Sequence, residues 1–360
     1  MNTITDFWRS PALIAPNRFV FKSLSNWAFN IAVGCSHACR FCYVPSAATV
    51  KQGPQLAPHG VRDPDAEWGD YVLLRPWDER RFLASLRAAE NTPLHRLNPD
   101  GHRAVMLCTT TDPYQALRHS SSSRQRELSQ HARFLVRRSL ELIRDASTLN
   151  VRILTRSPLA REDFDLFRSL GDRLVFGMSL PTLRNDLSTL YEPRAPAPTQ
   201  RLATLRAARH AGLHIFVALA PTYPEYDEAD LRATLAAVAQ LDPITVFHEP
   251  INIRADNVAR IADHAQALGV SVNTDVFATR QRWQEYAFNA LQTVERLAAE
   301  VGLADRLHLW PDKSLGGKAA VQNLSATTGL TPDQLRQWLG RCWNRISEWP
   351  GETQSTHATP

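Results

Sequence analysis

The chain has 360 residues, 44% of them hydrophobic and 21% charged, a balance that excludes general disorder and is enough to bury a core without disulfide or metal staples. Lysine and arginine total 41 against 36 aspartates and glutamates, giving a net charge of +5 and a pI near 9.1. That permits an anionic partner such as nucleic acid without requiring one. Only Lys22, Lys51, Lys313 and Lys318 are lysines, and such an arginine bias more often reflects genome base composition.

No apolar run reaches the roughly 18 residues a transmembrane helix needs, and Asp6 with other polar residues interrupts the first thirty positions. Neither a membrane span nor a signal peptide is expected, so the cytoplasm is the default location. Five cysteines are too few and too clustered for a disulfide framework and would stay reduced there.

Residues 1–28 read as an irregular segment, because Pro11 and Pro16 break any helix. An apolar run at 29–33, ended by Gly34, predicts a buried strand. Residues 45–103 are rich in Pro, Gly and Asp and carry one expected helix at 78–89. So long an excursion in a compact domain suggests a functional cover. From residue 104 the pattern is regular. Strands are expected at 104–108, 151–155, 174–180, 213–220 and 245–249, with helices at 127–144, 161–170, 198–211 and 228–241 between them. Alternation with short links predicts parallel βα units. A further helix at 255–268 and strand at 270–273 extend the series.

The expected fold is therefore α/β, a partial (βα)6 TIM-type barrel over residues 29–275, followed by a helical extension over 276–350 and a disordered tail at 351–360. The extension carries a helix at 279–301 and a helical pair over 318–346, with a helix start at Thr331-Pro332-Asp333-Gln334, Thr as N-cap, Pro at N1 and Gln at N3. Trp338, Trp343 and Trp349 read as helix-packing residues, and the pair around Gly329 faintly suggests a helix-turn-helix whose Arg336, Arg341 and Arg345 meet phosphates or form a solvated face.

The sharpest feature is Gly34-Cys35-Ser36-His37-Ala38-Cys39-Arg40-Phe41-Cys42-Tyr43, a C-x3-C-x2-C motif on the loop after the first expected strand. Three thiolates this close can hold one metal centre. A structural zinc site needs a fourth ligand and usually a second Cys pair, whereas Cys108 and Cys342 stand alone. Iron–sulfur clusters take thiolates, and three ligands on four irons leave one iron open to a small molecule. A zinc-stabilised binding module is the alternative from another class.

The motif resembles that of the radical S-adenosylmethionine (SAM) superfamily. A closer similarity, to its spore photoproduct lyase-like branch, covers about residues 30–224. It rests on 34–43, Thr109-Thr110-Thr111-Asp112-Pro113-Tyr114-Gln115, Thr155-Arg156-Ser157, Ser179-Leu180 and Glu192-Pro193-Arg194-Ala195-Pro196. The resemblance implies a [4Fe-4S] cluster on Cys35, Cys39 and Cys42, with SAM on the open iron. It also implies reductive cleavage to methionine and a 5′-deoxyadenosyl radical, and a reducing donor of the flavodoxin or ferredoxin type. The branch's namesake splits a thymine dimer in spore DNA, so a DNA lesion or nucleobase is the substrate this similarity suggests. The breadth of the superfamily keeps open a peptide or small metabolite, including aminocarboxypropyl transfer.

Parallel sheets place their sites at the strands' C-terminal ends. By resemblance, Phe41 packs near the adenine, while Thr109, Thr111 and Asp112 meet the SAM amino group; Asp112-Pro113 read alone is a turn. Thr155 and Arg156 face the cofactor or an anionic substrate. Ser179, Glu192 and Arg194 surround the ribose and carboxylate, Arg194 as a bidentate grip or as part of a solvated Pro-rich linker. Pro221 shapes the adenine pocket through its backbone. His248 and Glu249 point into the barrel mouth, or form a hydrogen-bonded structural pair. Cys108 is the candidate hydrogen-atom donor, with Tyr43 or Tyr114 beside it; otherwise it is a small buried hydrophobe. His37 reads as a loop residue rather than a fourth ligand, and Gly316-Gly317-Lys318 lacks the spacing of a phosphate loop.

Overall fold

The computed structural model describes residues 3–17, 24–118, 120–348 and 350. The tail at 351–360 and Trp349 lie outside them. Eleven strands form among these residues: β1 (Ile4–Phe7), β2 (Ile14–Pro16), β3 (Trp27–Phe29), β4 (Ala32–Gly34), β5 (Tyr71–Leu74), β6 (Ala104–Leu107), β7 (Asn150–Thr155), β8 (Leu174–Ser179), β9 (His214–Thr222), β10 (Thr245–Pro250) and β11 (Leu307–Leu309). The α-helices are α1 (Gly53–Leu56), α2 (Glu79–Glu90), α3 (Ser122–Ala146), α4 (Phe164–Ser169), α5 (Asn185–Tyr191), α6 (Pro198–His210), α7 (Glu228–Ala239), α8 (Asn257–Leu268), α9 (Arg280–Glu300), α10 (Lys318–Thr328) and α11 (Pro332–Asn344). None is long and apolar enough to cross a membrane.

The main sheet runs β11-β10-β9-β8-β7-β6-β3-β2. From β3 to β11 every neighbouring pair is parallel, and only β2 runs against β3. The ends do not meet, so this is an open, partial barrel of βα units. Residues such as Val105, Val151, Phe176, Val217 and Val246 are buried and join the core between strands and helices. Met106, Val175, Phe216 and Phe247 form a separate cluster on the alternate face, as the two-residue period of a strand requires.

Four expectations are corrected. The run at 29–33 is not one strand: β3 pairs with β6 in the main sheet, and β4 pairs with β5 in a second sheet of order β1-β5-β4. A continuous apolar run shows burial but not a change of partner. The segment at 1–28 is not irregular, since it holds β1, β2 and the start of β3. No strand forms at 270–273, where Val270 is 48% exposed and buries too little to pair; β11 takes the place beside β10. Finally, α9 and β11 belong to the barrel rather than to an extension. Helix α9 packs on β10, β11 and α7, and Trp283 Nε1 donates to the Ile251 carbonyl at 2.9 Å.

Within 45–103, α2 starts on an Asp78 cap that accepts from the Arg81 amide at 3.0 Å. Part of the rest of that segment forms a core of its own. Val44, Leu56, Val61, Trp68, Tyr71 and Leu73 pack with Val33 and Cys35 into a small core behind the cysteine loop. Thr331 and Gln334 cap α11 reciprocally. Its Trp338 is buried, edge-on to Phe288 and bonded to Glu295, so the α10–α11 pair packs on α9. Arg336 pairs with Asp333, and Arg345 donates to carbonyls of Ala304 and Asp305.

Candidate active site

The cysteine loop begins where β4 ends, and two glycines set its path. Gly34 has φ +91°, and a Cβ there would stand 2.1 Å from the Tyr71 carbonyl oxygen. Gly69 has φ +103°, and its Cβ would stand 2.3 Å from that of Ala38, itself at φ 56°. Only glycine allows both the left-handed turn and the close approach of β5 and its lead-in to the loop.

The turn after β6 holds the loop from one side. The Ser36 amide donates to Gln115 Oε1 (2.6 Å), Gln115 Nε2 donates to Thr111 Oγ1 (2.7 Å), and Thr111 Oγ1 donates to the Gly34 carbonyl (2.5 Å). Nε2 of His37 lies 3.1 Å from Asp112 Oδ2. Asp112 also accepts from Thr155 Oγ1 (2.7 Å) and from the amides of Tyr114 (2.8 Å) and Arg156 (2.9 Å). Burial alone would raise its pKa, but His37 and these donors outweigh it and hold the carboxyl below its usual range. The expectation that Asp112 receives an ammonium is revised: its oxygens are engaged in tying the loop to β7.

Helix α8 holds the loop from the other side. Arg260 donates to the carbonyls of Arg40 (3.2 Å) and Cys42 (2.5 Å) and pairs with Asp65, and Asn257 Nδ2 donates to the Phe41 carbonyl (3.2 Å). Arg194 is likewise a loop clamp. Its amide donates to the His37 carbonyl (3.3 Å), and its guanidinium to the Gly69 carbonyl (2.5 Å) and Asp70 (2.6 Å). Its expected grip on a free carboxylate is corrected accordingly.

Glu192 is fully buried between Arg156 Nε and Arg201 Nη1, each 2.5 Å away. Desolvation opposes its charge, but the two arginines win and lower its pKa. Arg201 also donates to the carbonyls of Pro196 and Ser179 and to Ser188. Glu192 is thereby paired with Arg156, whose guanidinium lies 5.8 Å from the Phe41 ring centroid. Phe41 in turn lies 6.0 Å from Tyr223, which stacks face to face on Tyr191 at 4.1 Å.

Cys35 and Cys39 are buried and Cys42 is partly so. Burial raises all three thiols, Cys39 to about 12, while Arg156 and Arg201 act on Cys39 in the opposite direction. No three of the described His, Cys, Asp and Glu side chains gather round a single ion position; an iron–sulfur cluster takes its thiolates at separate corners. The donor set fits such a cluster. Three thiols stand on one loop, and half-buried Arg156 with buried Arg201 against one carboxylate leaves positive charge to balance thiolates.

The remaining candidates divide. Cys108 directly follows β6 at φ 65°, buried, its amide donating to the Phe29 carbonyl at 2.8 Å and its thiol pKa raised by burial. Thr109 accepts from Asn30 at 3.4 Å. Tyr43 neighbours Cys42 and Glu249, and its phenol is pushed up chiefly by burial. Glu249 accepts from Asn252 at 3.1 Å. Ser179 and Pro221 are buried in the last residues of β8 and β9. Tyr114 donates its hydroxyl to Asp163 at 2.9 Å and meets Phe167 with its ring, while Cys108, in the same buried cluster, acts on its phenol. His248 hydrogen-bonds the Leu219 carbonyl at 2.8 Å, as a structural residue does.

Sequence reasoning missed Asn257, Arg260, Arg201, Tyr191 and Tyr223. The two arginines did leave a trace. Each occupies an inward helix position, Arg201 with Leu205 and Ala208, Arg260 beside Ile261, where a charge needs a buried partner.

Comparison with known proteins bears on the family and the fold. An uncharacterized protein of Acidianus two-tailed virus is 30% identical over 269 residues, 70% of this chain and 78% of its own. An uncharacterized protein of Mycobacterium tuberculosis (strain ATCC 25618 / H37Rv) is 26% identical over 226 residues, and the match spans 56% of that protein's length. Among solved structures, a cysteine point mutant of spore photoproduct lyase has TM-score 0.59 at 12% identity, with 85% of this chain and 80% of that chain covered. Spore photoproduct lyase complexed with dinucleoside spore photoproduct has TM-score 0.56 at 14% identity, with 82% of this chain and 80% of that chain covered. At such identities the likeness is one of fold. The sequence model of the Radical SAM superfamily matches residues 29–238, from β3 through the cysteine loop to α7. With three thiols on a loop at the mouth of an open parallel barrel, the chain belongs to the radical SAM superfamily of enzymes.

Proposed function

We propose that Cys35, Cys39 and Cys42 hold a [4Fe-4S] cluster, that the protein cleaves SAM reductively, and that its substrate is a nucleobase or DNA lesion. The observation that carries the reading is the cysteine loop, which bears all three thiols and is clamped by Asp112, Arg194 and Arg260. When bound, the cluster supplies one electron to SAM and thereby a carbon radical able to abstract hydrogen.

The chain's own residues position and shield. Arg156, fixed by Glu192, keeps a positive charge beside Cys39 and the ring of Phe41. Thr109 and Thr155 bring hydroxyls to adjacent strand ends. Cys108 is held protonated by burial, the form that can give up a hydrogen atom. A low-potential donor of the flavodoxin or ferredoxin type supplies the electron. The fold shared with spore photoproduct lyase and the net charge of +5 favour the nucleic-acid substrate.

Anaerobic reconstitution with iron and sulfide, then dithionite and SAM, tests the chemistry. Methionine with 5′-deoxyadenosine is the expected product, and Cys→Ala at 35, 39 and 42 together abolishes both colour and cleavage. An aminocarboxypropyl product overturns the bond assignment. One equivalent of zinc without sulfide overturns the cluster. Filter binding to damaged and intact DNA across a salt series tests the substrate: a steep salt slope is expected, and no binding at low salt ends that version.

A further inference from the structure

The face of the main sheet turned away from the helices carries a run of rings on its β9–β11 side. Phe216 meets Phe247 edge-on at 5.8 Å, and Phe247 lies 4.6 Å from Trp310 at an interplanar angle of 34°. Leu307 and Leu309 join the core under the helices, whereas Trp310 packs with Phe216 and Phe247. The Trp310 amide donates to the His248 carbonyl at 2.8 Å, so Trp310 prolongs β11 at its C-terminal end, where a parallel sheet keeps its site. Its ring is half-buried and backed by Phe247. Glu249 has the parity of Phe247 along β10 and so stands on the same face.

Asn252 lies just past β10 in the same corner of the mouth. Arg254 pairs with Asp312 at 2.6 Å, which draws the loop after β10 to the loop after β11. Asn257 Nδ2 donates to the carbonyls of both Asn252 (2.9 Å) and Phe41 (3.2 Å), so Asn252 also borders the cysteine loop. The Asn252 side chain donates through Nδ2 to Glu249 Oε2 at 3.1 Å. That contact fixes the amide: turned over, its oxygen would face a carboxylate. Asn252 Oδ1 is left buried, with no hydrogen-bond partner among the described residues. Buried polar atoms are almost always satisfied, so Oδ1 calls for a donor that arrives with a ligand. A flat ring with an acceptor nearby suits a planar heterocycle that carries an N–H on its edge.

Resting on the reading that the substrate is a nucleobase, we propose that this corner is its base-binding subsite: the base stacks on Trp310 and donates its edge N–H to Asn252 Oδ1. Glu249 is a positioning residue that holds the Asn252 amide in this orientation. A thymine or uracil ring meets the requirement with its imide N–H. To reach a concave face the base leaves the stack of its own strand, which a single strand allows at least cost. Adenine also carries an N–H edge, so the nucleotide of SAM is the other source of this chemistry, and the test separates the two.

The test is fluorescence anisotropy of labelled single strands on the reconstituted protein, kept anaerobic at saturating SAM and fixed salt. Strands of equal length are compared: oligothymidylate, its N3-methylated counterpart and an abasic strand. The wild type should bind oligothymidylate roughly tenfold tighter than the abasic strand, the size of one stacked base, and also tighter than the methylated strand. Trp310→Leu keeps an apolar contact with Phe247 but offers no ring. It should bring oligothymidylate down toward the abasic level with an unchanged salt slope, while Trp310→Phe keeps most of the affinity. Asn252→Ala should abolish discrimination against the methylated strand. SAM affinity, read by equilibrium dialysis, should be unchanged in each variant. A wild type that holds all three strands alike overturns the proposal while DNA binding stands, and that measurement needs no variant to fold. Trp310→Leu that matches the wild type overturns it too, as does one that weakens the abasic strand equally. Lower SAM affinity in Asn252→Ala with strand discrimination intact assigns Oδ1 to the nucleotide and overturns the proposal. A wild type that binds no strand at low salt overturns the nucleobase reading together with the subsite.

Discussion

His37 Nε2 and Asp112 Oδ2 stand 3.1 Å apart, both buried, so a residue inside the cysteine motif is fastened to the turn that follows β6. Asp112→Asn keeps the shape but removes the charge that faces His37 and the Arg156 amide. We expect a loss of ~2–4 kcal/mol in unfolding free energy, the range for breaking a buried charge-assisted bond, and reduced iron uptake. The pH dependence has a fixed sign. The native carboxyl binds its proton less tightly than the unfolded one, so its stabilisation is full above about pH 4 and is lost as pH falls through the lower native value. Acid unfolding followed by circular dichroism should show a shallower acid limb in Asp112→Asn. An unchanged limb would remove Asp112 from this role.

Arg260 is the corresponding tie from α8. Arg260→Ala leaves Asp65 buried without its cation and frees the carbonyls of Arg40 and Cys42. The expected cost is ~3–5 kcal/mol, read as a drop in denaturant midpoint together with a fall in iron per chain. Arg260→Ala combined with Asp65→Ala should be less unstable than the two single losses summed. Additive losses would show that the pair is not coupled.

Glu192 is the hub of a buried triad. Glu192→Gln leaves Arg156 and Arg201 facing each other across a neutral amide. Thermal unfolding should move down by the equivalent of ~3–5 kcal/mol. Replacing Arg156 by Met in the Glu192→Gln background should recover part of that loss, because the excess charge is gone. A neutral effect of Glu192→Gln would mean that water, and not Glu192, screens the two arginines.

Cys108 makes a prediction about product rather than stability. Cys108→Ala should retain the cluster and SAM cleavage, with a stability change within about 1 kcal/mol, yet alter the product by depriving it of the returning hydrogen. Mass spectrometry of the products with deuterated solvent reads this directly. Full turnover to an unchanged product would leave Cys108 as packing.

The cysteine motif, the five strands from β6 to β10 and the cap of α11 were all legible because each rests on local spacing: two-residue alternation, a C-x3-C-x2-C interval, a Thr-x-x-Gln box. What was not legible depends on partners far along the chain. Nothing near Arg260 announces Asp65, and nothing near Glu192 announces Arg201. The run at 29–33 displays its hydrophobicity but not that Asn30, bonded through its side chain to Thr110, marks a change of sheet. The exposed run at 270–273 looked like a strand because periodicity cannot tell a buried valine from Val270, whereas Leu307–Leu309 is short and won its place by burial. Tyr114 sits inside a motif, but nothing near it announces Asp163, which takes its hydroxyl.

The handover between β3 and β4 has a mechanical corollary. Residues 27–29 follow the large sheet and residues 32–34 the small one, with two residues between them and Cys35 directly after. Any shear of one layer across the other is geared into the thiols within a handful of bonds, so a shift of β5, which pairs with β4, is passed to the cysteine turn through β4 itself.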